Sequence, residues 1–168
     1  MLKKANKAYE NYNDSSAANY YKESCDLGNA KGCNKLGVLL YNDNNDILAI
    51  KFFKKACDYG LEDGCYNAGK LYENEGENYK SAVFYEYACD LDNAMGCYKV
   101  AVFYFNRRDY KNAKDFYQKA CDYGDSDGCF ELGILYEEGK GVEVDKYKSK
   151  IYYEKACKMG NSIACGGL

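Results

Sequence analysis

Four stretches of the chain share one hydrophobic pattern: CNKLGVLLY (33–41), CYNAGKLY (65–72), CYKVAVFY (97–104) and CFELGILY (129–136). Counting from the cysteine, the residues three, four and seven places on are small or apolar in nearly every copy. At ~100° per residue those offsets fall on one stripe, so each stretch predicts an amphipathic helix, A, starting at the cysteine. Offset four is Gly37, Gly69, Ala101 or Gly133. A glycine costs ~1 kcal/mol inside a helix, so its return at this place implies that a packed neighbour comes close to the backbone.

A second helix, B, is predicted ahead of another set of cysteines: AANYYKESC (17–25), AIKFFKKAC (49–57), SAVFYEYAC (81–89), NAKDFYQKAC (112–121) and SKIYYEKAC (149–157). Each carries an aromatic pair five and four places before its cysteine: Tyr20/Tyr21, Phe52/Phe53, Phe84/Tyr85, Phe116/Tyr117 and Tyr152/Tyr153. The residue just before the cysteine is Ser24, Ala56, Ala88, Ala120 or Ala156. Large rings alternating with small residues suit ridge-into-groove packing of stacked helices.

The helix-B cysteines stand at 25, 57, 89, 121 and 157, giving intervals of 32, 32, 32 and 36. A strict period near 34 without strand-like alternation marks an all-α solenoid of helix–turn–helix repeats. The expected organisation is one array with units at about 1–32, 33–64, 65–96, 97–128 and 129–164. Residues 165–168 would be the remnant of a following unit, and the chain reads as a piece of a longer protein lacking a capping helix. The last interval holds four extra residues around GKGV (139–142), so the other A–B loops are expected to be shorter.

All ten cysteines fall into pairs eight residues apart. Between Cys57 and Cys65, Gly60 can take the left-handed conformation that ends a helix. Gly28, Gly124 and Gly160 match it, and Asp92 departs, in a residue type that tolerates that region. Such a reversal brings two cysteines within the ~4.4–6.8 Å Cα separation of a disulfide. Ten cysteines pair in ~945 ways, and a self-similar array selects one. The expected bridges are Cys25–Cys33, Cys57–Cys65, Cys89–Cys97, Cys121–Cys129 and Cys157–Cys165. A cytosolic thiol or metal array is the lesser alternative, since zinc sites prefer C-x₂₋₄-C spacings.

Composition narrows the chemistry. There is no histidine, which removes imidazole ligands, histidine triads and the usual base near neutral pH. The net charge of −3 gives no basic footprint, so nucleic acid is not an expected partner. No apolar run approaches the ~18 residues of a membrane span, and MLKKANKAYE lacks the apolar centre of a signal peptide. The chain is thus either cytosolic or exported after removal of its signal. Neither S-x-x-K, S-D-N nor K-T-G occurs. GKGV is better read as a turn than as a phosphate loop, because G-x-x-x-x-G-K-[ST] is missing. Most of the 20 tyrosines hold repeat-core places, and Asn13-Asp14-Ser15 is a formal glycosylation sequon of little weight.

The segments YYEKAC, LGILYEEGKGV and CDLGNAKGCNKLGVLLY resemble, over the whole chain, the Sel1-like repeats of the Helicobacter cysteine-rich protein family. The resemblance implies a right-handed α-solenoid of the TPR superfamily, secreted or periplasmic, with one disulfide in each repeat. Family members are described as penicillin-binding, several as β-lactamases, and others as peptide-binding. Family repeats run to 36 residues, so the shorter units here set this chain apart. The leading expectation is an exported interaction module that binds a peptide or protein segment on its concave face. The alternative is a β-lactamase-like hydrolase or penicillin-binding protein with a β-lactam or cell-wall ligand, for which no catalytic residue is named; a scaffold for cell-wall assembly is weaker still.

The candidate groove comes from A-helix offsets one, two and five, which vary between copies. It comprises Asn34, Val38, Tyr66, Asn67, Lys70, Tyr98, Lys99, Val102, Phe130 and Ile134, with Lys35 and Glu131 at the remaining offset-two places. Partly exposed aromatics beside polar groups are typical of recognition surfaces. Packing of Tyr66, Tyr98 and Phe130 between adjacent A helices is the competing explanation. No cofactor and no metal are expected, and the chain is expected to be a monomer.

Overall fold

The computed structural model describes residues 2–10 and 14–166, and these form helices only. In chain order they are α1 (Leu2–Glu10), α2 (Asp14–Asp26), α3 (Ala30–Asn42), α4 (Asp46–Asp58), α5 (Glu62–Asn74), α6 (Asn78–Asp90), α7 (Ala94–Asn106), α8 (Tyr110–Asp122), α9 (Ser126–Glu138), α10 (Lys146–Lys158) and α11 (Ser162–Gly166). Met1, Asn13 of the sequon, and Gly167 and Leu168 of the predicted remnant lie outside the described residues. The chain is an all-helical solenoid of helix–turn–helix repeats, divided into two compact units, Met1–Leu91 and Asp92–Leu168. Helices α3, α5, α7 and α9 are the A helices, and α2, α4, α6, α8 and α10 are the B helices.

The A helices start three residues earlier than the pattern indicates, so Cys33, Cys65, Cys97 and Cys129 lie inside the first turn. In three of the four the reason is a cap four places before the cysteine. Asn29, Asn93 and Asp125 accept a hydrogen bond from the backbone N–H of Gly32, Gly96 and Gly128 at 2.9, 2.8 and 2.7 Å. Such a cap satisfies one of the four N–H groups orphaned at a helix start. Helices α4, α8 and α10 are capped in the same way by Asn45, Asp109 and Asp145. Leu61 and Glu77, which precede α5 and α6, make no such bond.

The B-to-A reversal turns on a left-handed residue: Gly60 has φ +78°, and Asp92 holds the same place at +64°. Behind it the backbones nearly touch. A Cβ on Gly64 would lie 2.6 Å from the Ala56 Cβ, and one on Gly128 would lie 2.8 Å from the Ala120 Cβ. This contact sets the cysteines 4.5, 4.6, 4.5 and 4.8 Å apart at Cα in the bridges Cys25–Cys33, Cys57–Cys65, Cys121–Cys129 and Cys157–Cys165. Cys89 and Cys97 are also disulfide-bonded, and no cysteine is free. The widest of these separations belongs to the copy with Ala164 in the glycine's place.

Each helix-B aromatic pair divides its work. The first ring stacks on the offset-seven residue of the preceding A helix: Tyr72/Phe84, Tyr104/Phe116 and Tyr136/Tyr152, with centroids 5.4, 5.6 and 5.6 Å apart. The second ring, buried at Tyr21, Phe53, Tyr85 and Tyr117, covers the offset-four glycine where one is present. A Cβ on Gly37, Gly69 or Gly133 would stand 2.6, 2.7 or 2.6 Å from the ring of Phe53, Tyr85 or Tyr153. The A–B loops are Asp43–Asn45, Glu75–Glu77 and Arg107–Asp109 in the short repeats, against Gly139–Asp145 in the long one.

Candidate functional site

The offset-one aromatics of the A helices are half-buried, and each is seated on the inner ring of the following B helix. Tyr66 packs on Tyr85 at 5.3 Å, Tyr98 on Tyr117 at 5.8 Å and Phe130 on Tyr153 at 5.5 Å between ring centroids. The rings therefore pack inside their own helix pair, with part of each left at the surface.

In the first unit, Asn67 Nδ2 on α5 donates to Asn34 Oδ1 on α3 at 3.0 Å. This joins two groove candidates on consecutive A helices, and each carboxamide keeps further hydrogen-bonding capacity. Lys35, Val38 and Lys70 are exposed around them. In the second unit, Tyr98 and Val102 lean on the cluster of Ala101, Ala113, Tyr117, Leu132 and Leu135. Lys99, Glu131 and Ile134 are partly buried.

Around Glu131 in the second unit several carboxylates act on one another. Burial holds the Glu131 carboxyl above its usual range, Asp127 adds to the effect, and Lys140 opposes it. Burial likewise raises Asp125, which caps α9, and Tyr98, on which Glu131, Asp127 and Asp125 also act. Asp127 accepts from Asn161 Nδ2 at 2.8 Å.

The inner tyrosines follow a second pattern that periodicity does not reveal. Tyr85 and Tyr153 each donate at 2.6 Å to a glutamate eight places after the A-helix cysteine, Glu73 and Glu137. Burial and its glutamate push the Tyr153 hydroxyl up to about 12. Beside Tyr117 that offset-eight place is Phe105, whose ring meets Tyr117 at 6.5 Å. Comparing offset eight with the inner ring, copy by copy, was the available signal in the sequence.

Among the described residues, no group of three or more His, Cys, Asp or Glu could hold a metal ion, and no thiol is free. Nothing in these side chains supports the hydrolase alternative. No helix of the described residues is long and apolar enough to cross a membrane.

Disulfide-stapled helix pairs with half-exposed rings on the A helices define a protein of the helical-repeat interaction class. A model of the Sel1 repeat matches residues 6–29, 30–60, 94–125 and 126–161, so the chain belongs to the Sel1-repeat family. No curated protein matches it. Among solved structures it is similar to a Sel1 repeat protein from Oxalobacter formigenes, with a TM-score of 0.86 and 20% identity, covering 98% of this chain and 72% of that one. It is also similar to c5321, a protective antigen of uropathogenic Escherichia coli with an SLR fold, at a TM-score of 0.76 and 24% identity. That match covers 88% of this chain and 34% of c5321. YrrB, described as a TPR protein with an unusual peptide-binding site, matches at a TM-score of 0.61 and 16% identity over 99% of this chain and 89% of its own. At these identities the likeness concerns the fold.

Proposed function

We propose that the chain is an exported, disulfide-stapled interaction module that holds an extended peptide or protein segment on the A-helix face of its repeats. The observation that carries this reading is the repeated placement of Tyr66, Tyr98 and Phe130, each fixed from behind by a helix-B ring and left partly open in front. A ring already immobilised loses little entropy on binding, which is what a contact surface requires. The Asn34–Asn67 pair supplies amide donors and acceptors for a partner's main chain. Export is supported by ten bridged cysteines, the chemistry of an oxidising compartment, and by the likeness to the Helicobacter cysteine-rich family.

Phage-displayed peptides selected on the oxidised protein test the reading. The combined variant Tyr66→Ala, Tyr98→Ala, Phe130→Ala should weaken the selected peptides by tenfold or more, since aromatic anchors contribute ~2 kcal/mol or more at such sites. Unchanged binding by a folded triple variant would assign the contact to another face.

A further inference from the structure

On each A helix the residues two places before the cysteine, two after it and five after it form one stripe, at i, i+4 and i+7. In the first unit that stripe is Lys31, Lys35 and Val38 on α3, and Asp63, Asn67 and Lys70 on α5. In the second unit it holds a single lysine, Lys99, with Asp127 and Glu131. Three lysines thus stand with one aspartate on the first unit's A face, in a chain whose net charge is −3. Lys31, Lys35 and Lys70 are exposed, and none makes an ion pair, hydrogen bond or ring contact among the described residues. Elsewhere in that unit Lys22 and Lys55 pair with Asp26, and Lys80 pairs with Glu77. Asp63 lies in the first turn of α5, where an acid complements the helix start.

The bond from Asn67 Nδ2 to Asn34 Oδ1, 3.0 Å long, ties the α3 and α5 halves of this face together. Lys35 follows Asn34 directly, Lys31 lies about one turn before it, and Lys70 about one turn after Asn67, so cations flank the amide pair on both helices. With its oxygen engaged, the Asn34 carboxamide keeps two N–H donors, and these have no partner among the described residues. Ammonium and amide N–H groups are all donors, and an ionised acceptor suits them best. We infer that the first unit's A face takes the glutamate or aspartate side chains of an acidic segment, with carboxylates accepting from Asn34 and pairing with Lys35 and Lys70. The inference rests on the segment-binding reading and names the chemistry of its segment. Two positive charges net suffice for one or two carboxylates and fall short of what a phosphate backbone engages. Cations placed on two helices also match carboxylates spaced along a segment better than a single terminal one.

The test uses the intact oxidised chain and an octapeptide of alternating glutamate and alanine, acetylated and amidated at its ends, with its glutamine counterpart as control. NMR should show the glutamate peptide shifting the side-chain amides of Asn34 and Asn67 and the backbone of Lys35 and Lys70, an effect that weakens with added salt. The glutamine peptide should leave them in place. Lys35→Gln and Lys70→Gln should each weaken binding severalfold and the pair about tenfold, as expected for exposed ion pairs. Lys51→Gln, an exposed lysine on α4, should change nothing. Equal shifts from both peptides, no loss in the double variant, or an equal loss in Lys51→Gln would overturn the assignment. Tighter binding of the glutamine peptide with a free C-terminal carboxylate would move the contact to a chain end, and tighter binding of a heparin fragment through the same lysines would make the partner a polyanion; either sinks the acidic-segment inference. If selected peptides lose affinity in the A-face triple variant and not in the double lysine variant, the segment reading stands and its acidic character falls. If the glutamate peptide depends on Lys35 and Lys70 while no peptide responds to the triple variant, the carboxylate contact stands without the ring surface.

Discussion

Replacing a helical glycine by alanine ordinarily stabilises a protein by up to ~1 kcal/mol. At Gly69 the sign should reverse, because the new methyl would lie 2.7 Å from Cδ1 of Tyr85, a ring that is almost wholly buried. Overpacking of that kind costs about 1–3 kcal/mol, so Gly69→Ala should destabilise by a net 1–2 kcal/mol in urea unfolding. The inner tyrosines give a paired expectation. Tyr85→Phe loses a hydrogen bond to Glu73 and should cost about 0.5–1.5 kcal/mol. Beside Tyr117 the corresponding place holds Phe105 and not a glutamate, so Tyr117→Phe should cost less than Tyr85→Phe. Glu131 adds a dependence on pH. Its carboxyl is held above the usual range by burial first and by Asp127 next, with Lys140 opposing and Glu138 adding. A raised carboxyl binds more protons folded than unfolded, so its contribution falls as pH rises through the interval above the unfolded value. Glu131→Gln should therefore raise the melting temperature at pH 7 and flatten its decline between mildly acidic and neutral pH. An unaltered slope would assign the effect to other carboxyls.

At the level of the helix, the caps decide where each element begins. Seven of the described starts follow one rule, an Asn or Asp whose side chain accepts from the backbone three residues on: Asn29, Asn45, Asn93, Asp109, Asp125, Asp145 and Asn161. Glu77 breaks the rule before α6, its longer side chain forming instead an exposed pair with Lys80 at 3.3 Å. Such pairs contribute little, so Glu77→Asp should stabilise by about 1 kcal/mol in thermal or chemical unfolding. These caps also explain what could be read beforehand and what could not. The helix pairs, their period and the bridge pairing were legible because the same residues return at fixed spacing, and periodic stacking forces each copy into one arrangement. The true start of each A helix was missed because the cap lies four residues before the cysteine taken as the origin. The glycine that lets Ala56 approach at Gly64 was visible as a GC dipeptide in every copy but the last, yet its use depends on a contact across the turn. The exchange of the offset-eight glutamate for Phe105 beside Tyr117 was hidden for a similar reason: its effect is a relation between two helices and not along either.

For the molecule as a whole, the bridges set the conditions in which it can exist. Each nine-residue ring removes about 2.5 kcal/mol of unfolded-state entropy on loop-closure reasoning, while a typical domain retains only about 5–15 kcal/mol in total. Losing even a few bridges therefore consumes the margin, and a chain made in a reducing cytosol should remain largely unfolded until it reaches an oxidising compartment. The bridges should also fail in an order set by access. A reductant must bring a thiolate onto a sulfur; Cys25 and Cys33 are both wholly buried, and Cys121 and Cys129 nearly so, whereas Cys57 is partly open. Dithiothreitol under native conditions, with timed alkylation and peptide mass spectrometry, should show Cys57–Cys65 labelled before Cys25–Cys33 and Cys121–Cys129. Those two should open only together with loss of helical circular dichroism. Labelling of all three at one rate, matching unfolding, would mean that the partial exposure of Cys57 gives no route to its sulfur. Free thiols titrating in the freshly isolated, folded protein would remove the argument for export itself.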